Sequence, residues 1–377
     1  MNRYLFTILT CSSTFANTMI LQDTQTYGNI THAIYEASDF PARAHVITMP
    51  LDAVSISLVP AIGQREAVSA IAKRAGALVA VNGSNYRRGG NYNGNRVNLL
   101  YLNNKVYADL GLTRGTFCWK SENETPIIDT VFLDTQFSIN DTPLPVTAIN
   151  QPRVAGQAIL YTDVADTALL AYTPGKNILI DSNHIVTSVS PEIPKIIPDG
   201  YLVYQVDAAA LPSIKPGMSA VCTFTVSSVE SQTSYNDYDF AIGGAGLLLK
   251  GGSLLSDNLY KEFSQGTAIV HCGDEVAADF ITKEMQEWLI ELRHPRTAIG
   301  ITTHNEICLV VVDGRQEHSE GLSLKELALF MQQLGCIDAL NIGGGGCTTL
   351  CIDNKLINSP SAGQERPVSE ALCFCID

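Results

Sequence analysis

Residues 336–351 hold the first hint of chemistry: Cys336-Ile-Asp338-Ala-Leu-Asn341-Ile-Gly343-Gly344-Gly345-Gly346-Cys347-Thr348-Thr349-Leu-Cys351. An apolar, strand-like run enters, glycines turn it, and a short β-type run leaves. Such a glycine run contributes nothing to a core. It is useful where backbone must approach a ligand closely or take positive φ. Successive free N–H groups in a turn of this kind can form an anion-binding nest. The run therefore reads either as a cradle for a phosphate or other oxyanion, with Asn341 and Thr348 beside Gly344 and Gly345, or as a plain flexible loop. No P-loop lysine or GxGxxG frame accompanies it, so the run alone does not decide. A second unusual stretch, residues 84–98, is dominated by Gly, Asn, Tyr and Arg. It reads as a solvated loop or as a binding loop at a strand end, where Tyr can stack on a sugar and Arg can fork onto a phosphate.

These loops need a scaffold. Ala44 to Val59 alternates apolar and polar residues and reads as strands. Val68, Ile71, Ala72 and Ala75 are spaced for a helix over Arg65–Ala75, with Gly76 as its stop. Leu78 to Val81 is a buried strand ending at the turn pair Asn82-Gly83. Residues 99–225 read as β-rich, and 241–252 as a glycine turn followed by a strand and hairpin. Phe280–Leu292 reads as helical. Ala298–Thr302 and Glu306–Val312 pair about His304-Asn305. Ser323–Leu334 carries the strongest helix pattern, with Ser323 and Glu326 forming a capping box. Asp353-Asn354 turns a last hairpin. No repeat or low-complexity linker divides the chain.

The 377 residues are 46% hydrophobic and 16% charged, an ordinary globular composition with length for a large core. A net charge of −14 without a Lys/Arg run argues against nucleic acid as a partner. Residues 1–16 read as an export signal: Arg3, an apolar run from Leu5 to Leu9, and Thr14-Phe-Ala16 as a cleavage site. The expected location is therefore secreted, periplasmic or at the cell surface. Residues 17–43 read as a loose polar lead-in, and 44–377 as the principal domain. No later stretch has the ~20 unbroken apolar residues of a transmembrane helix. The ten cysteines include no CxxC pair, so neither a zinc site nor any other cofactor is expected. Removal of residues 1–16 leaves an odd number, hence a free thiol or an intermolecular bridge. Acceptor sequons begin at Asn29, Asn123 and Asn140, among others.

Set side by side, the segments Val81-Asn82-Gly83-Ser84-Asn85-Tyr86, 243–252, Pro295–Gly300, Val312–Ala328, Asn358 with Pro360, and Glu365–Val368 resemble the phosphodiester glycosidase family, in order, from about Ala44 to the C-terminus. The resemblance implies an α/β (α+β) fold of mixed β-sheets with flanking helices. It also implies hydrolysis of a glycosyl phosphodiester, with N-acetylglucosamine as a candidate sugar. One departure bears on activity. The family's loop Asn-Leu-Asp-Gly-Gly-Gly-Ser stands here as Asn341-Ile342-Gly343-Gly344-Gly345-Gly346-Cys347. Gly343 offers neither a proton nor a ligand. The alternative is thus a catalytically impaired glycan- or phosphate-binding protein on the same fold.

Cleaving a sugar–phosphate diester requires holding the phosphate, positioning the sugar as it gains oxocarbenium character, and activating water or a nucleophile. Arg296 is the first candidate to grip phosphate, against a surface ion pair. His294 is a candidate proton donor, against a structural role beside Pro295. Asp313, ending a strand before Gly314, is a candidate catalytic carboxylate or a turn-former. Arg315 and Arg366 are candidate phosphate contacts, against solvated or ion-paired roles. Asn82 and Asn341 end strands and would bond sugar hydroxyls or cap turns. Cys347 has no His near it in sequence and reads as a small buried filler or a disulfide half.

Overall fold

The structure, a computed structural model, describes residues 19–121, 126–166, 169–170, 175–207, 213–264 and 283–376. The export-signal segment 1–16 and the sequon at Asn123 lie outside these residues. Helices α1 (Val68–Ala75), α2 (Ser256–Ser264), α3 (Lys283–Glu291) and α4 (Leu324–Gln333) accompany a set of mainly antiparallel sheets, an α+β arrangement. No helix of the described residues is long and apolar enough to cross a membrane.

An eight-stranded antiparallel sheet forms the frame. Its order is Met19–Tyr27, Ile30–Ala37, Arg43–Pro50, Glu306–Val312, Arg296–Thr302, Cys336–Gly344, Leu247–Lys250 and Ser253–Leu254. Its central strands bury both faces, so neighbouring side chains serve opposite cores. Ile299, Leu309 and Leu340 join Val79, Val81, Leu350, Leu372 and Phe374 of a second sheet, with Phe117 and Phe240 of a third. Ala298, Val310 and Ala339 face the other way, against Leu259, Ile290, Leu327 and Met331 of the helices. These strands therefore carry apolar residues on both faces over most of their length rather than alternating.

The second sheet orders Lys355–Leu356, Leu350–Ile352, Val79–Asn82, Glu370–Ile376 and Val54–Pro60. The β-rich middle of the chain builds a seven-stranded sheet around Ile127–Ile139 and a five-stranded sheet around Leu202–Val206. Helix α4 begins as its sequence dictates: the Ser323 side chain accepts from the Glu326 N–H, and the Glu326 carboxylate accepts from the Ser323 N–H. Helix α1 ends at Gly76 in the left-handed conformation (φ 66°), which a residue with a Cβ resists.

The described part of the expected loose lead-in 17–43, residues 19–43, is ordered into strands. Met19–Tyr27 and Ile30–Ala37 pair as a hairpin, and the second strand pairs with Arg43–Pro50. The first strand is an edge strand exposed along nearly its whole length. Its composition is polar for that reason, and strand periodicity is absent where neither face is buried.

The frame aligns three strand ends. Arg296 pairs with Gly344 and Thr297 with Gly343. The Thr297 hydroxyl donates to Asn82 Oδ1 at 2.7 Å, joining the two largest-core sheets at the point where Val79–Asn82 stops. Glycine turn, arginine-bearing strand and Asn82 thus meet at one end of the molecule.

Candidate functional site

At that meeting point lies a cavity of about 160 Å³, lined among others by Asn82, Ser84, Tyr86, Arg88, Trp288, His294, Arg296, Arg315, Asn341, Gly343–Gly346, Cys347 and Arg366. The lining contains no Asp or Glu among the described residues. Its charged groups are all arginines.

The glycines have a concrete task here. A Cβ on Gly346 would fall 2.2 Å from Nη2 of Arg366, and one on Gly345 would touch the Arg315 guanidinium at 3.5 Å. The bare backbone therefore lets two guanidinium groups lie against the turn. Gly345 also needs its positive φ of 64°. The N–H of Gly345 donates to Pro295 O at 2.8 Å rather than pointing at a ligand. The loop is thus a seat for arginines more than a nest of free amides. Gly343 is crowded too, since a Cβ would lie 2.9 Å from both Asn82 Nδ2 and Gly83 O.

Arg315 follows Asp313-Gly314 and sits at φ 59°, a conformation costly for a residue with a side chain. Its guanidinium bonds Nδ1 of His294 at 3.2 Å, and His294 Nε2 meets Trp288 O at 2.9 Å. A carbonyl only accepts, so Nε2 carries the proton and Nδ1 accepts from arginine. Burial, together with Arg296 and Arg315, drives the His294 pKa down to about 4. His294 is therefore a neutral support for Arg315, with both nitrogens engaged, rather than the proton donor expected from sequence. The Arg315 pKa is itself lowered by burial and by the facing Arg366 and Arg88.

Arg296 also departs from expectation. It lines the cavity, yet Nε donates to Leu322 O at 2.9 Å and Nη2 to Leu289 O and Leu292 O at 2.7 and 3.1 Å. Burial first, then Arg315, lowers its pKa. Three carbonyls occupy most of the fork, so Arg296 pins the α3 end and the following turn instead of gripping a phosphate.

Asp313 stands outside the lining and is 2% exposed. Its Oδ1 accepts from Ser359 N at 2.8 Å and Asn358 Nδ2 at 3.2 Å, while Oδ2 faces His318 at 3.4 Å and His45 at 3.8 Å. Burial raises its pKa, but the His45 contact and the Ser359 and Asn358 bonds outweigh burial and hold it below the ordinary carboxylate value. Asn358 passes the constraint on, accepting from Leu350 N and donating to Thr348 O. Through Ser359 and Asn358, Asp313 holds the turn's exit from outside the cavity lining. Thr348, expected beside the ligand, is likewise buried outside the lining.

Asn82 Oδ1 accepts from Thr297 and Thr349, and Nδ2 donates to Gly83 O, so it staples the sheets while lining the cavity. Asn341 is different. Its Nδ2 donates to Ala245 O at 2.8 Å, which fixes the amide, while the residue is 3% exposed and its buried Oδ1 has no partner among the described residues. A buried acceptor left unmatched is costly and calls for a donor. Gly344, Gly345, Asn341, Arg315 and Arg366 are thus brought together as the sequence suggested.

Four contributors are not singled out individually as site residues from the sequence. Arg88 and Tyr86 come from the Asn/Gly/Tyr/Arg loop, whose composition was the available signal. Trp288 lies on α3, lines the cavity at 41% exposure and packs on the His294 ring at 4.1 Å between centroids. Cys347 lines the cavity with its Sγ 3.3 Å from the Tyr86 hydroxyl and 3.8 Å from Arg366 Nη1. It is neither buried filler nor part of a disulfide, since the described cysteines are free thiols.

Residues 176–375 match the family profile described as phosphodiester glycosidase. Among curated proteins, an N-acetylglucosamine-1-phosphodiester alpha-N-acetylglucosaminidase of Mus musculus is 25% identical over 201 residues, 52% of this chain and 35% of that protein. An SPbeta prophage-derived uncharacterized protein of Bacillus subtilis is 34% identical over 92 residues, 24% of this chain and 14% of that one. The chain thus spans little more than a third of the longer match and far less of the other. A solved structure of a Burkholderia pseudomallei protein, described as exported, superposes with a TM-score of 0.71 at 20% identity, covering 89% of this chain and 74% of that one.

Proposed function

The chain belongs to the phosphodiester glycosidase family, and from that premise we propose that its cavity binds a glycosyl phosphodiester and cleaves the bond between anomeric carbon and phosphate. The observation that carries this reading is the pairing of opposite needs in one cavity. Arg315, Arg366 and Arg88 call for an anion, and the orphaned Asn341 Oδ1 calls for a hydroxyl or amide N–H. A deprotonated phosphate alone supplies only the first. A sugar phosphate, including an N-acetylated one, supplies both. Trp288 adds an exposed aromatic face for a sugar ring.

The chemistry follows from the charges. As the C1–O bond lengthens, the bonding electrons move to the phosphate oxygen, where guanidinium groups receive the charge. A phosphate leaves more readily than an alkoxide, so protonation of the leaving group is dispensable. Water then adds to the oxocarbenium carbon and loses a proton to solvent. The absence of a carboxylate from the described lining favours this leaving-group route. At Gly343 an Asp would have to displace Asn82. The same absence supports a second reading, a protein that binds glycosyl phosphates without turning them over.

The test is release of sugar from a panel of sugar-1-phosphodiesters by purified protein, with Arg315→Ala alongside. Release that falls at least about 100-fold in Arg315→Ala supports hydrolysis. Binding without release supports the second reading, and neither binding nor release refutes both. Export to the cell surface, with glycosyl phosphates of surface glycans as partners, completes the proposal.

A further inference from the structure

The charge of the cavity specifies more than a phosphodiester needs. Arg88, Arg315 and Arg366 line it, and none forms an ion pair with a carboxylate among the described residues. The donors of Arg296 are largely spent on carbonyls. The His294 beside Arg315 is neutral and accepts from it, so it neither adds to nor cancels the positive charge. Cys347 and Tyr86, the remaining ionisable groups, are tied to each other, and the Tyr86 hydroxyl donates to Pro367 O at 2.7 Å. Burial raises the Tyr86 pKa, so it stays neutral. Three facing cations therefore repel one another across one small cavity. A phosphodiester, a monoanion, answers one of them.

We infer that this site prefers a ligand carrying at least two negative charges at its phosphate end, the chemistry of a glycosyl diphosphate or of a diester whose second arm bears another phosphate. This rests on the reading of the cavity as a sugar-phosphate site and names its charge class. Bidentate contacts from Arg315 and Arg366 would hold one phosphate against the glycine turn. Arg88, on the opposing loop and half-buried, would hold the second. The exposed Trp288 then marks the sugar side.

The test is a set of equilibrium titrations of the full chain, read by calorimetry at fixed ionic strength and pH 7.5. The probes are pyrophosphate, methyl diphosphate, and dimethyl phosphate as the monoanionic diester. Pyrophosphate and methyl diphosphate should bind at least about tenfold tighter than dimethyl phosphate, the worth of one more charge-assisted contact. Arg88→Gln should weaken pyrophosphate and methyl diphosphate binding several-fold more than dimethyl phosphate binding, and so remove most of that preference. Equal affinities for mono- and polyanions, or no binding of any probe, would overturn the inference. So would a preference untouched by Arg88→Gln. Should Arg88→Gln fold poorly, the salt dependence separates the cases, because the polyanion preference must shrink steeply as ionic strength rises. Failure of glycosyl probes to bind while diphosphates bind would refute the sugar reading and leave this one standing.

Discussion

Gly344 and Gly346, two positions apart in one turn, carry opposite consequences at the residue scale. Alanine at Gly346 meets the flexible end of Arg366, at 2.2 Å from Nη2. The side chain can swing away, so Gly346→Ala should change stability by less than about 1 kcal/mol while weakening anion binding about tenfold. Alanine at Gly344 meets the Pro295 carbonyl at 2.7 Å. Backbone cannot swing, so Gly344→Ala should cost about 1–3 kcal/mol. Urea denaturation combined with pyrophosphate titration separates the two outcomes, and similar behaviour of both variants would contradict the assignment of the turn as an arginine seat. Cys347 gives a second residue-level expectation. It is half-buried in the cationic cavity, whereas burial pushes the Cys222, Cys351 and Cys373 thiols up to about 12. The negatively charged reagent iodoacetate should alkylate Cys347 ahead of these, and faster relative to the neutral iodoacetamide than it does a free thiol. Peptide mass spectrometry reads both, and added pyrophosphate should protect the site.

Elements position these groups, and α3 is the one with most leverage. Its Trp288 and Leu289 line the cavity, and Arg296 holds the Leu289 and Leu292 carbonyls. Arg293, just beyond it, forks onto Glu326 at 2.8 Å, and Glu326 is also the capping-box residue of α4. One carboxylate thus caps one helix and anchors the end of another. Glu326→Ala should cost about 2 kcal/mol, more than the ~1 kcal/mol of Ser323→Ala, which loses the cap alone. The comparison of the two denaturation midpoints tests this. The protein has two tryptophans, and Trp119 is buried at 5% exposure. A sugar phosphate should therefore shift the emission of Trp288 where inorganic phosphate does not, and Trp288→Phe should abolish the shift. The capping box, the Gly76 stop and the 336–351 turn were legible because each is settled by residues within a few positions. The role of Asp313 was not. Strand end, Gly and Arg neighbours all suggested chemistry, but its burial comes from partners at 45 and 358–359, far off in sequence. Trp288 was missed for the converse reason, since amphipathic spacing does not say which turn of a helix borders a cavity.

Taken whole, the molecule buries two histidines that the fold keeps neutral, His32 and His294, and this sets its response to acid. His32 is 5% exposed, and burial, aided by neighbouring His45, lowers its pKa from 6.5 to about 4 against a small opposing pull from Asp23. Its Nε2 lies 3.1 Å from His45 Nδ1, and His45 in turn faces Asp313, so the edge hairpin, the central sheet and the turn's exit share one polar chain. His294, 6% exposed beneath Arg315, is lowered to about 4 as well. In both cases the unfolded chain binds a proton near pH 6.5 that the folded chain refuses until about pH 4. The stability they contribute is therefore complete above about pH 6.5 and lost as pH falls toward 4, at on the order of 1 kcal/mol per pH unit for each histidine. Urea midpoints measured at pH 7.5, 6.5, 5.5 and 4.5 should hold level over the first step and fall over the next two. His32→Gln, which keeps a donor toward His45 but cannot take a proton, should remove about half of that fall. Protonation of His294 would also withdraw the acceptor that steadies Arg315, so diphosphate affinity should weaken over the same acid range by more than the ligand's own titration accounts for. A flat stability profile between pH 6.5 and 4.5 would show that these histidines titrate in the fold as they do in water, and that the buried chain from His32 to Asp313 does not tie the edge hairpin to the turn's exit in the manner described.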